Sequence, residues 1–112
     1  METIYLCITL FALGAILGIY LLSFVLRKKM TSKIVAAIHG IIVATSLVML
    51  IYYAFIHGPG LVASIVLFVI AALGGITLMI FDITGKTFPR WLAVVHGLVA
   101  VSGFIFLLAY AL

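Results

Sequence analysis

The chain has 112 residues but only three histidines, one cysteine and two acidic side chains. Two of the histidines sit in matching contexts, AAIHGII at residues 36–42 and AVVHGLV at 93–99, both within long apolar runs. Neutral imidazole is the common nitrogen ligand for iron, copper and zinc. A closed tetrahedral zinc site wants four ligands, and no Cys, Asp or Glu lies close to either histidine in sequence. Two axial imidazoles do complete a haem iron, because the porphyrin supplies the other four nitrogens. The flat apolar ring also buries well in a helix bundle. The expected site is one haem b on His39 and His96, with Gly40, Gly97, Gly18 and Gly75 letting backbone and ring come close. The structural alternative is a histidine hydrogen-bonded to a neighbouring helix, with the glycines serving close packing as in the GxxxG of Gly14 and Gly18.

The other polar groups read more plainly. Cys7 has no partner for a disulfide or a metal pair and reads as a small apolar residue. His57 falls in the HGPG turn as a solvated loop histidine. Asp82, four residues before Lys86 and eight before Arg90, is expected to make a local ion pair or a contact in the C-terminal turn. Ser46 can bond to its own backbone. Ala36, Gly40 and Ala44 form a small-residue ridge suited to packing. Tyr53 and Tyr110 lie seven-residue steps from the His face and read as an aromatic belt at one interface, with Trp91 and Phe88 at the other.

The elements that position these residues follow from composition. Hydrophobic residues make up 69% of the chain and charged ones 7%, with a mean hydropathy of +1.59. A soluble domain is nearer half apolar and a quarter charged. The expected protein is therefore an integral all-α membrane protein, since backbone groups in lipid must be satisfied inside the span and the apolar runs are too long for barrel strands. A single membrane domain over 1–112 is expected, with helices at about 4–26, 33–56, 61–81 and 91–111 forming a four-helix bundle. The first run is read as a span and not a cleaved leader, because its positive charges follow it.

All six cations fall in two connections: Arg27, Lys28, Lys29 and Lys33 in one, Lys86 and Arg90 in the other. This pattern places the loops at 27–33 and 82–90 in the cytoplasm and both termini outside, as in a bacterial inner membrane. It also argues against nucleic acid as the reason for the +4 charge. A lipid-headgroup contact is a secondary reading.

Shifting the chain by 57 residues aligns 4–55 with 61–112 without a gap, and 15 of the 52 pairs are identical. Composition alone matches about one pair in ten. The identities include Phe11/Phe68, Gly18/Gly75, Lys29/Lys86, His39/His96, Gly40/Gly97 and Tyr53/Tyr110. The expected architecture is two parallel helical-hairpin repeats about an axis along the membrane normal. His39 and His96 then share one depth, about 9 Å inward from Lys33 and Arg90. Haem propionates at that depth would lie near Lys33, Arg90 or Lys86.

The size and four spans suggest the small multidrug resistance transporters, but their first-span carboxylate is missing: Thr3 to Leu26 carries no charge. In architecture, His39 and His96 with their glycine neighbours resemble the bis-histidine pattern of membrane b-type cytochromes. That resemblance covers no extended motif. It implies an electron carrier rather than an enzyme, exchanging electrons with a quinone or a redox protein, alone or as a homodimer or part of a larger membrane complex. Two other functions suit the same residues: an accessory or scaffold subunit, and a small metal or proton transporter lined by the histidines.

Overall fold

In a computed structural model, residues 2–86 and 89–112 are described. They form α1 (Glu2–Leu26), α2 (Lys33–His57), α3 (Val62–Thr84) and α4 (Arg90–Ala111), with a 3-10 turn at Pro59–Leu61 before α3. Each of the four is long and apolar enough to cross a membrane. The bundle measures 42 × 21 × 20 Å, against a hydrocarbon core of about 30 Å. Phe88, one of the expected belt residues, lies outside the described residues.

Local chemistry ends the helices. Ser32 caps α2 by accepting the Val35 N–H at 3.3 Å, satisfying one of the four free donors of a helix start. The last turn of α1 closes with bonds from Lys28 N–H to Val25 O and Lys29 N–H to Phe24 O. Gly85 N–H to Asp82 O and Lys86 N–H to Phe81 O close α3 in the same way. This cap needs a left-handed residue. Gly85 supplies it at φ 71, and Lys28 supplies it at φ 57 despite its side chain.

The helices pack in a ring in chain order. α1 lies beside α2 and α4, and α3 lies beside the same two. The pairs α1–α3 and α2–α4 therefore face each other across the diagonals. Large apolar side chains such as Ile16, Ile19, Ile41, Leu73, Leu98 and Ile105 cover the outside, as lipid-facing surfaces require.

The buried side chains divide into two clusters. One, toward the Pro59 turn, contains Ile4, Cys7, Phe11, Leu50, Tyr53, Leu61, Phe68 and Leu107. Within it Phe11 and Phe68 stack across the α1–α3 diagonal, ring centroids 4.0 Å apart and nearly parallel. The other, toward the basic end, is Val25, Leu78 and Ala93. Between the clusters, among the described residues, only Gly14 and Ala71 are buried. The middle of the bundle is thus lined by small residues, and both repeated histidines lie in it.

Candidate functional site

His39 on α2 and His96 on α4 reach toward each other across the second diagonal. Their ring centroids are 6.4 Å apart and the ring planes stand at 80°. Each ring is anchored to the other helix of its own hairpin, the bond that the structural alternative expects of these histidines. His39 Nδ1 is 2.8 Å from Gly14 O, and His96 Nδ1 is 2.7 Å from Ala71 O. A carbonyl oxygen only accepts, so Nδ1 carries the proton in both rings. The neutral imidazole then keeps its lone pair on Nε2.

The repeated glycines explain how those carbonyls stay open. A helical side chain tilts back toward the N-terminus, so residue i+4 hangs over the carbonyl of residue i. Gly18 stands four residues after Gly14, and Gly75 four after Ala71. A Cβ at Gly18 would sit 3.1 Å from His39 Cε1, and one at Gly75 would sit 3.1 Å from His96 Cε1. Gly74 adds room, its Cβ position being 3.6 Å from His96 Nδ1. These glycines make space for the imidazoles.

Gly40 and Gly97 are placed differently. A Cβ built on either meets nothing within 4 Å, so neither marks a close approach of backbone or ring within the chain. The ridge of Ala36, Gly40 and Ala44 likewise meets no helix at Gly40, and Ala44 is exposed. In the second hairpin the tight contact is at Gly103, where a Cβ would lie 3.3 Å from Leu67 and Phe68.

Two serines join the helices on the far side of the histidines. Ser46 Oγ donates to Cys7 O at 2.9 Å, and Ser64 Oγ donates to Gly103 O at 2.8 Å. Ser46 thus bonds across to α1 instead of to its own backbone. Cys7 is fully buried. Tyr53 is 5% exposed and belongs to the core, whereas Tyr110 is 39% exposed and lies against Gly60. His57 ends α2, with its ring stacked on Tyr53 at 4.0 Å and Nδ1 3.1 Å from Tyr53 O. Trp91 is exposed.

At the basic end Asp82 pairs with Lys33 of α2 at 3.4 Å, not with a cation of its own connection. The cluster of Val25, Leu78 and Ala93 lies between the cations and the histidine level. No group of three or more His, Cys, Asp or Glu that could hold a metal occurs among the described residues, so any metal here would rest on the two imidazoles and on ligands of its own.

The acceptors Gly14 O and Ala71 O and the serine bonds were not found by reading side-chain types, because backbone oxygens leave no mark in a sequence. The Gly14–Gly18 and Ala71–Gly75 spacings beside a matched histidine are the signal that could have found the acceptors. No protein-family model matches this chain, and no curated protein or solved structure shows significant similarity to it.

Proposed function

We propose that this chain is a small membrane electron carrier that binds one haem b between His39 and His96. The observation that carries the reading is the paired state of the imidazoles: each gives its Nδ1–H to a backbone carbonyl, and Nε2 makes no hydrogen bond among the described residues. Metal-ligating histidines are held in this way by an outer hydrogen bond. The two rings stand 6.4 Å apart, so this one pair of residues would hold the haem iron and supply both of its protein ligands.

The small-residue interval between the two apolar clusters supports the same reading. Gly14, Ala71, Gly18, Gly74 and Gly75 border it, and the room they leave on the α1 and α3 sides seats the two imidazoles as ligands. The bound haem would supply one-electron chemistry. The chain's own residues orient two ligands and exclude water. The reading rests on the imidazoles and not on the cations at the bundle end.

We read the bundle as two parallel hairpin repeats, 4–55 and 61–112. The matched bonds from His39 and His96, each reaching back 25 residues, support this. With the basic loops in the cytoplasm, the histidines lie nearer the inner surface, suited to exchange with a quinone or a redox protein there.

The test is the haem content of the full-length protein, expressed with haem supplied and purified in detergent. The expected content by pyridine haemochrome is one haem b per chain. A content near zero would refute the reading.

A further inference from the structure

All four spans are nearly free of charge, yet one end of the bundle opens into a charged cleft of about 560 Å³. Its charged walls are Lys28, Lys29, Lys33, Lys86, Arg90 and Asp82. Five cations thus face one carboxylate, and that carboxylate is already paired with Lys33. Among the described residues, four positive charges on the walls are left without a carboxylate partner. Val25 and Met30 supply an apolar flank. The first residues of α2 and α4, Lys33 and Arg90, are on the wall beside the C-terminal turns of α1 and α3 at Lys28 and Gly85, so the opposed helix dipoles offset and the field is that of the side chains.

One cation is held there against its backbone preference. Lys28 has φ 57, a left-handed conformation that a side chain disfavours and that glycine adopts freely. The matching turn after α3 uses Gly85. The remaining cation, Arg27, is engaged elsewhere: its guanidinium lies 4.8 Å over the Phe24 ring and bonds to Ser23.

We infer that this cleft is a binding site for a phosphate ester, with the headgroup phosphate of an anionic lipid as its natural source. The surplus of positive charge wants an anion. The cleft lies at the end of the spans, at headgroup level, and its apolar flank suits the glycerol and upper chain of a lipid. Basic pockets between helix ends select anionic headgroups in this way. The inference rests on the cleft's own cations and not on the haem reading, in which propionates would share Lys33, Arg90 or Lys86.

The experiment uses full-length protein in an uncharged detergent. Its thermal midpoint is followed while dioleoylphosphatidylglycerol, dioleoylphosphatidylcholine or glycerol 3-phosphate is added. Phosphatidylglycerol is expected to raise the midpoint saturably, and phosphatidylcholine, whose choline brings a cation into the cleft, is not. The apparent affinity should fall by about tenfold or more in the Lys86→Ala/Arg90→Ala double variant. It should also fall in Lys28→Gly, whose own midpoint without lipid is expected to hold or rise as the strain is relieved. Arg27→Ala should bind as the parent does. Saturation by glycerol 3-phosphate as well would support the site with a soluble phosphate ester as ligand; saturation by phosphatidylglycerol alone would support the lipid. A role confined to setting topology would leave no saturable response. That result, an equal response to phosphatidylcholine, or unchanged affinity in both cleft variants would overturn the proposal.

Discussion

The α1–α2 hairpin and the α3–α4 hairpin anchor their histidines by the same bond but join their helices with the serine on opposite sides. In the first, Ser46 on α2 donates to the Cys7 carbonyl on α1. In the second, Ser64 on α3 donates back to the Gly103 carbonyl on α4. Positions 7 and 64 correspond, as do 46 and 103, so the rung is kept while its donor has crossed over. Packing shows a similar exchange. The first hairpin sets Gly14 against Val43, whereas the second has Ala71 and Ala100 at the corresponding positions. What both hairpins share without exchange is His, the carbonyl it bonds, and the glycine four residues after that carbonyl. Helix contacts can be rebuilt from either side; the imidazole position has no such freedom.

The comparison can be broken first at the shared part. Gly18→Val and Gly75→Val place a branched side chain over the carbonyl that holds each imidazole. Each is expected to lower haem affinity by about tenfold or more, to the same degree in both hairpins. Haem titration of the purified variants measures it, and a loss in one hairpin only would contradict the equivalence.

The exchanged part gives the next effect. A Cβ at Gly14 would run into the Val43 side chain, so Gly14→Ala is expected to destabilise by about 1–3 kcal/mol. Adding Val43→Ala gives the first hairpin the residues of the second and should restore much of that loss. Denaturation of the single and double variants in detergent reads the coupling. Two additive losses would mean that the positions do not compensate.

The serine rungs are smaller. Ser46→Ala and Ser64→Ala are each expected to cost about 0.6 kcal/mol, the mean for a polar contact between membrane helices. A difference of several-fold between them would show that the rungs are not equivalent. At the bottom of the scale, Gly40→Ala and Gly97→Ala meet no neighbour. They should stay within about 0.5 kcal/mol of the parent and leave haem content unchanged.

The four spans, the two basic turns and the histidine pair were readable from the chain because length, charge and exact residue matches carry them. Helix rotation was harder. A helix that is apolar all round has no polar face to say which side turns inward. Gly40 and Gly97 therefore looked as well placed as Gly18 and Gly75, although only the latter pair lies against an imidazole. The same ambiguity hid Tyr53 in the core while Tyr110 stayed half-exposed. Asp82 was readable as an ion-pair partner but not as Lys33's, since that pairing depends on α2 and α3 being neighbours. The bond from Ser46 to α1 depends likewise on packing, and local sequence offered its own backbone as an equal partner.

The most direct test of the central claim is the visible spectrum of the full-length protein, oxidised and then dithionite-reduced, beside His39→Ala and His96→Ala. Two imidazoles sharing one haem predict a low-spin spectrum, with a Soret band and a sharp reduced α band, that both single variants lose. A colourless parent with haem supplied, or a low-spin spectrum that survives either substitution, would contradict it.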